Sequence, residues 1–207
     1  MSAGASMKSL YVTHPQVVID PNVPTPRWGL NEKGFMRARA FAARGVVPRG
    51  AMIFSSDETK ATDLAGAIAA AIGADVIIEA AMGENDRSST GFLAPERFEA
   101  TADRFFAQPG ESIEGWETAN DAQARIVAAV RRALGTVPAG TPAVFCGHGA
   151  VGTLLKCFVG SRLISRSEDQ RRLADPGGGN GFVFDLDAMR LHSDWMPMEA
   201  LAPGWLD

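Results

Sequence analysis

The chain lacks long apolar runs, and this shortage excludes a membrane-spanning protein. No stretch of its 207 residues approaches the ~20 consecutive apolar residues that cross a bilayer, and Asp63 and Gly66 interrupt the apolar segment 61–74. Residues 1–8 also lack the basic start and apolar centre of a secretory signal. We therefore expect a cytoplasmic protein with no membrane partner.

Cysteine and histidine are scarce, which argues against a metal site. The two cysteines, Cys146 and Cys157, have no metal-like spacing, and the three histidines have no close-spaced partners. The cysteines are typical of buried thiols in a reducing compartment. The sequence thus predicts neither a metal nor a cofactor.

The chain also has no excess of positive charge. It carries 20 Lys and Arg against 24 Asp and Glu, a formal net charge of -4, so it has no general attraction to nucleic acid. Hydrophobic residues make up 46% and charged residues 21%, a globular composition. The length fits one domain over residues 1–207, and nothing in the sequence indicates an oligomeric state.

Apolar strands alternate with helical patterns along most of the chain, which is typical of a mostly parallel sheet covered on both faces. We predict a three-layer α/β/α sandwich with about six strands. Ser55 and Glu58 have the spacing of a capping box, which would open the second helix. A charged, aromatic-rich region at about 80–118 is expected to form a partly helical inserted lid. The predicted strands are 9–13, 51–54, 75–79, 141–146, 181–186 and 191–195, and the predicted helices are 31–44, 55–72, 121–134 and 150–158.

Two of the three histidines, His14 and His148, stand just past the ends of predicted strands. In such sheets the ligand site lies beyond the carboxyl ends of the strands, so we expect both side chains at one site. A neutral imidazole can attack phosphorus, provided that cations surround the phosphoryl oxygens and a proton donor serves the leaving oxygen. The helix after His148 would aim free N–H groups at the same anion.

The order of the motifs resembles the histidine phosphatase superfamily, which includes the phosphoglycerate mutases. That family has Arg-His-Gly after its first strand, where this chain has Thr13-His14-Pro15. The segments Trp28-Gly-Leu-Asn-Glu-Lys-Gly34 and Ser55-Ser-Asp-Glu-Thr-Lys-Ala61 are similar to its helix start and its Ser-Ser-x-x-x-Arg-Ala segment, and Gly147-His148-Gly149 to its later His-Gly motif. The resemblance implies a phosphoglycerate-mutase-like fold.

By position, the resemblance makes His14 the phosphorylated nucleophile and His148 the residue that stabilises the transferring group. Glu84 would be the proton donor, with Glu79 and Asp86 as alternatives. Lys60 takes the place of a family arginine on the phosphate.

Two arginines are further candidates for phosphate binding. Arg27 lies where the first loop of the family commonly supplies a cation. Arg87 is either a surface charge or a substitute phosphate ligand, and Arg27 is slightly favoured for its family position.

The departures from the family pattern leave several functions open. Thr13 removes a charge beside the nucleophile, Pro15 replaces a glycine, and Lys60 is a point charge where a bidentate fork is usual. We expect a metal-independent phosphatase that acts on a small phosphate ester through phosphohistidine. The alternatives are a catalytically degenerate protein that binds a phosphorylated ligand, a mutase, or an unrelated nucleotide-binding protein with the two histidines far apart.

Overall fold

The central element of the computed structural model, which describes residues 8–206, is a seven-stranded mixed sheet. Its strands are β1 (Ser9–Thr13), β2 (Met52–Ser55), β3 (Val76–Ile78), β4 (Ala143–Gly147), β5 (Asn180–Asp185), β6 (Arg190–Leu191) and β7 (Met196–Pro197). The spatial order is β3-β2-β4-β1-β5-β6, with β7 also paired to β5. The strands β1 to β4 are mutually parallel, and β5 runs antiparallel to β1.

Helices cover both faces of this sheet, so the predicted three-layer sandwich is confirmed. The helices are α1 (Glu32–Ala43), α2 (Thr59–Ile72), α3 (Pro95–Ala107), α4 (Ala119–Leu134), α5 (Gly149–Val159) and α6 (Gln170–Leu173). One core cluster joins α1 and α2 to Leu10 and Val12 of β1, and the other joins α3, α4 and α5 to Tyr11. Successive side chains of β1 thus serve opposite cores, as the alternation of a strand requires. No helix between residues 8 and 206 is long and apolar enough to cross a membrane.

The starts of the first two long helices differ from one another in their caps. Asn31 caps α1, because its side-chain oxygen accepts a hydrogen bond from the Gly34 N–H at 2.9 Å. The predicted capping box of α2 is wrong. Ser55 is the last residue of β2 and donates its hydroxyl hydrogen to the Ser56 carbonyl at 2.9 Å. Helix α2 begins only at Thr59, after Glu58, whose carboxylate is engaged with other groups of the site.

The predicted strand 191–195 is wrong beyond Leu191, because β6 ends at that residue and β7 begins only at Met196. The N–H groups of His192 and Ser193 both donate to the Val183 carbonyl, at 2.8 and 3.3 Å, so two residues oppose one on β5. This is the arrangement of a β-bulge, which ends regular pairing. The chain therefore leaves the sheet after β6 and returns as β7.

Region 80–118 contains α3 and two 3-10 helices, Ala80–Met82 and Ile113–Gly115. Its largest buried side chains are Phe105, Phe106 and Trp116, which join the same core as α4 and α5. The region is therefore packed onto the helical layer at the sheet end where the histidines lie.

Candidate active site

The two histidines predicted at strand ends lie side by side. Strands β1 and β4 are parallel neighbours with Thr13 opposite Gly147, so their carboxyl ends coincide. The His14 N–H donates to the Gly147 carbonyl at 3.0 Å, and His148 follows directly as the N-cap of α5. The centroids of the two rings are 5.4 Å apart, with an angle of 65° between the ring planes.

His14 has the tautomer and charge of a nucleophile. Its Nδ1 lies 2.9 Å from the Pro15 carbonyl oxygen. A carbonyl only accepts, so Nδ1 carries the hydrogen and Nε2 keeps its lone pair. Burial, and then the nearby charge of Lys60, lower the pKa of His14 to about 4. The imidazole is therefore neutral at physiological pH.

His148 is fully buried, and its backbone and its Nε2 atom have hydrogen-bond partners. The Tyr11 hydroxyl accepts from the His148 N–H at 3.0 Å and donates to the His148 carbonyl at 3.1 Å. The His148 Nε2 lies 2.7 Å from the Ser56 hydroxyl oxygen and 3.4 Å from Glu58 Oε1. Burial, partly offset by Glu58, keeps the pKa of His148 well below its ordinary value. Its Nδ1 has no hydrogen-bond partner among the described residues.

Glu84 lies at the N-terminus of α5. Its two carboxylate oxygens accept from the Ala150 N–H at 3.2 Å and the Val151 N–H at 3.0 Å. Burial raises the pKa of Glu84, although Arg87 and these backbone donors oppose the rise. A carboxyl group with a raised pKa retains its proton to higher pH, which suits a general acid.

The two alternative acids do not line the cavity that Glu84 and His14 share. Glu79 accepts from the Ala81 N–H at 3.2 Å and pairs with Arg132 at 3.4 Å. Asp86 is exposed, and the hydrogen bond that it accepts from the Ser88 N–H lowers its pKa. Of the three candidates, the geometry favours Glu84.

The three predicted cations have different surroundings. Lys60 does not line the cavity, contrary to its prediction as a phosphate ligand. It is only 3% exposed, and its ammonium contacts Glu58 and donates to the Thr25 carbonyl at 3.0 Å. Arg27 is exposed and does not line the cavity, contrary to the slight preference for it from the sequence. Arg87 lines the cavity, with its guanidinium carbon 5.0 Å from the centroid of the Phe98 ring. The geometry therefore favours Arg87 as the phosphate ligand.

His14, Glu84 and Arg87 open onto one cavity of about 390 Å³. Region 80–118 supplies one of its walls, through Phe98, Phe105, Phe106 and Trp116. These aromatic side chains therefore contribute both to the core and to the cavity wall.

Sequence reasoning missed several polar residues of the site. Ser56 and Glu58 hold His148, and Glu58 Oε1 also accepts from the Glu84 N–H at 2.7 Å. The pKa of Glu58 is about 2, because His148 and Lys60 together outweigh its burial. The position of Ser56 and Glu58 just after the second strand was the sequence signal that could have identified them. Gln170 also lines the cavity, but it follows a long irregular segment and no pattern pointed to it.

Comparisons with known proteins place this geometry in a family. A family model of the histidine phosphatase superfamily (branch 1) matches residues 22–169. The chain belongs to the histidine phosphatase superfamily. No curated protein sequence matches it. The superfamily match leaves His14 and Gln170 outside the aligned residues, so their placement rests on the geometry above.

Solved structures show the same fold at low sequence identity. The mycobacterial glucosyl-3-phosphoglycerate phosphatase, solved with inorganic phosphate, is 18% identical with a TM-score of 0.74, over 94% of this chain and 100% of that one. A second neighbour, mycobacterial hydrolase 2, is 18% identical with a TM-score of 0.72 over 98% and 93%. TTHB049 from Thermus thermophilus is 18% identical with a TM-score of 0.63 over 92% and 99%. The predicted phosphoglycerate-mutase-like fold is confirmed, and the family supports phosphatase activity in general.

Proposed function

We propose that this protein is a metal-independent phosphatase that hydrolyses a small phosphate monoester through a phosphohistidine on His14. Its substrate, or inorganic phosphate, is the only partner that the proposal requires. The observation that carries it is the neutral His14, whose Nε2 lone pair is left free by the Nδ1 hydrogen bond to Pro15. The free, buried thiols of Cys146 and Cys157 suit the cytoplasmic setting that we propose.

The first half of the reaction transfers the phosphoryl group. The His14 Nε2 lone pair forms a bond to phosphorus while the bond from phosphorus to the ester oxygen breaks. Glu84 gives its proton to the departing oxygen, which leaves as an alcohol. Arg87 lines the cavity and stabilises the charge of the phosphoryl oxygens, and the buried His148 ring, 5.4 Å from the His14 ring, is the second stabilising group.

The second half returns the enzyme to its starting state. Glu84, now ionised, takes a proton from a water molecule whose oxygen attacks phosphorus. The bond from phosphorus to His14 Nε2 breaks, and inorganic phosphate leaves. Both halves use the same carboxyl group, first as acid and then as base.

The covalent step can be tested directly. Incubation with a labelled generic phosphate ester, followed by a denaturing quench, is expected to give an acid-labile phosphoenzyme. His14→Ala should abolish both the phosphoenzyme and turnover, because no other group is placed to form the intermediate. His192→Ala is the matched control, since His192 is the only histidine outside the site. Wild-type hydrolysis by His14→Ala would refute the mechanism.

Two alternatives keep the same site. A degenerate phosphate-binding protein is favoured by the uncharged Thr13 beside the nucleophile. Total inactivity of the wild type on many esters, with phosphate still bound, would support it. A mutase would use the same residues but return the phosphoryl group to an alcohol, so transfer to an added acceptor alcohol in place of water identifies it.

Phosphate inhibition compares the two candidate arginines. Arg87→Ala should weaken inhibition by inorganic phosphate about 10- to 100-fold, because it removes a charge-assisted contact. Arg27→Ala should leave inhibition unchanged, because that side chain is exposed away from the cavity. If neither variant changes inhibition, the charge missing at Thr13 is not replaced by either arginine, and the degenerate alternative becomes the better account.

A further inference from the structure

A second compartment of about 270 Å³ lies outside the cavity. The two spaces, together called the path, are adjacent, because five residues line both of them: Val17, Ile19, Arg87, Phe98 and Arg171. The outer compartment is therefore placed to receive whatever group is attached to a phosphate bound at His14.

The walls of the outer compartment are mainly apolar. The Trp28 and Phe92 rings, with centroids 6.1 Å apart, face it together with Leu93. The Trp28 indole N–H donates to the carbonyls of Asp20 and Val23, at 3.0 and 2.9 Å, so the ring offers only its apolar surface.

Two apolar side chains of the path, one aliphatic and one aromatic, are unusually exposed to solvent. Ile19 is 63% exposed and Phe92 is 40% exposed. Both would be covered by an apolar group in the compartment, which would stabilise its binding.

The charges on this path leave one free cation for an anion. Arg166 pairs with Glu99, Asp103 and Asp169. Arg171 pairs with Glu99 at 2.9 Å. Between residues 8 and 206, no carboxylate forms an ion pair with Arg87, which lines both compartments. The path can therefore neutralise one phosphate, but it offers no second free cation for another acidic group.

We infer that the substrate is a phosphate monoester with an alkyl or aromatic leaving group and no second negative charge. This inference rests on the proposed phosphatase function and deepens it. Phosphorylated hydroxy acids are disfavoured, because a second acidic group would have to displace a carboxylate already paired with Arg171, and phosphorylated sugars gain little from the apolar walls. The aromatic and aliphatic side chains of the outer compartment contribute binding energy that acts on the leaving group.

The test compares alkyl phosphates of increasing length, and compares the longest of them with a carboxylate ester of the same length. For ethyl, butyl and hexyl phosphate, kcat/KM should rise by about fourfold for each methylene that becomes buried. Hexyl phosphate should be hydrolysed at least tenfold more efficiently than 5-carboxypentyl phosphate, whose chain ends in a carboxylate. Phe92→Ala and Ile19→Ala should flatten the dependence on chain length. Val18→Ala is the matched control, because Val18 is 52% exposed but lines neither compartment.

The outcomes separate the substrate class from the function itself. Hydrolysis with no dependence on chain length, or with a preference for the carboxylate ester, overturns the inference and leaves the phosphatase intact. Absence of turnover and of phosphoenzyme with every ester overturns the proposed function, and this inference with it.

A second inference comes from Thr13, the residue before His14. Thr13 is fully buried on the Tyr11 face of β1. Its hydroxyl oxygen accepts from the Asn180 N–H at 3.0 Å, and its hydrogen is donated to Gln170 Oε1 at 2.7 Å. The Asn180 side-chain amide also donates to Gln170 Oε1, at 2.8 Å. Since Gln170 Oε1 accepts two hydrogen bonds, the orientation of that amide is fixed.

The donor end of the Gln170 amide is thereby directed to the site. A Cβ on Gly149 would lie 2.3 Å from Gln170 Nε2, so this nitrogen lies against the first residue of α5. Gln170, Gly149 and His14 line the same cavity. Within residues 8–206, no hydrogen-bond acceptor takes the Nε2 hydrogens. They are available to an anion at the N-terminus of α5.

We propose that Gln170 donates to the phosphate and that Thr13 is the positioning residue that orients it. Gln170 then supplies, as a neutral donor, part of what the family obtains from the arginine that Thr13 replaces. Thr13 acts through Gln170 rather than on the phosphate itself.

A double-mutant cycle tests this assignment. Gln170→Met, of similar size but without donors, should raise the inhibition constant of orthovanadate about 10- to 100-fold. Thr13→Val should have a smaller effect in the same direction, and Thr13→Ser should restore inhibition. The double variant should be no worse than Gln170→Met alone, because Thr13 acts only through Gln170.

Three results would overturn the assignment. They are unchanged vanadate inhibition in a folded Gln170→Met protein, full additivity of the two substitutions, and loss of inhibition in Thr13→Ser. Phosphoenzyme formation by the wild type is measured in parallel, so failure of this assignment is distinguishable from failure of the phosphatase mechanism.

Discussion

Buried charged side chains lie at both ends of α5, but only at the C-terminal end is each of them paired with an opposite charge. There, the fully buried Lys156 contacts Glu168 at 2.8 Å and Asp194 at 2.5 Å. Arg162 contacts the same two carboxylates at 2.7 and 2.8 Å. Although burial opposes it, the hydrogen bonds from Lys156 and Arg162 lower the pKa of Asp194 to about 2. Two cations thus face two carboxylates without any ligand.

At the N-terminal end the same residue types are left incompletely paired. Lys60 and Glu58 neutralise one another, but Glu84 has only backbone donors and a raised pKa. His14 is held neutral, and no ion pair with Arg87 occurs in the described part of the chain. Perturbed and unpaired groups of this kind cluster at functional sites. Complete ion pairing thus stabilises the structure at one end, whereas incomplete ion pairing at the other end leaves positive charge available to a bound anion.

The largest expected effect that separates the two ends is on catalysis. Glu84→Gln removes the proposed proton donor while keeping the shape of the side chain. Hydrolysis of alkyl phosphates should fall about 10²- to 10³-fold, because poor leaving groups need protonation in the transition state. Hydrolysis of p-nitrophenyl phosphate should change little. A uniform loss with all leaving groups would mean that Glu84 only holds its turn, or that Asp86 is the acid.

A smaller effect is expected on stability, at the other end of the helix. Lys156→Met leaves Glu168 and Asp194 with Arg162 alone, so the free energy of unfolding should fall by about 2–3 kcal/mol. This is less than the roughly 3–5 kcal/mol for a buried charge left with no partner. Urea unfolding measures it. The kcat of the protein that remains folded should stay within about twofold, and a large loss of kcat would show that the two ends are coupled.

The third expected effect is the dependence of stability on pH. His14 binds a proton near pH 6.5 in the unfolded chain but only near 4 in the folded one. The unfolded state therefore binds more protons between these values, and this contribution to stability is lost as the pH falls from about 6.5 to 4. The pKa of Asp194, about 2, confines its contribution to a lower window, which is lost as the pH falls from 3.8 to 2.

Variants separate these two windows. His14→Asn should remove at most about 1.4 kcal/mol per pH unit of slope in the upper window, whereas Asp194→Asn should change only the lower one. The slope is taken as the difference from wild type, because the raised pKa of Glu84 gives a contribution of opposite sign. An unchanged upper slope in His14→Asn would show that His14 is not held neutral by the fold.

The sequence was sufficient to predict the layers of the fold and the meeting of His14 with His148. Both predictions depend on local signals, namely apolar periodicity and the position of a residue after a strand. The interrupted strand 191–195 could not be predicted, because its break depends on two N–H groups that converge on Val183, in a different strand.

The polar residues of the site were harder to predict for the same reason. Gln170 has its orientation fixed by Thr13 and Asn180, which lie 157 and 10 residues away along the chain. Ser55 and Glu58 had the spacing of a helix cap, but the carboxylate of Glu58 is taken by the distant Glu84 N–H and by the neighbouring Lys60. Local patterns cannot report such competition.

The position of β1 in the sheet has a consequence for how the protein is made. Strand β1 is synthesised before the other strands of the sheet, yet its two neighbours are β4 and β5, more than a hundred residues later. At a translation rate of about 5–20 residues per second, the first strand waits roughly 10–30 s for its second neighbour. During that interval an apolar strand is exposed with both edges unpaired, which is a hazard for aggregation. His14 acquires its surroundings only when the last third of the chain has emerged.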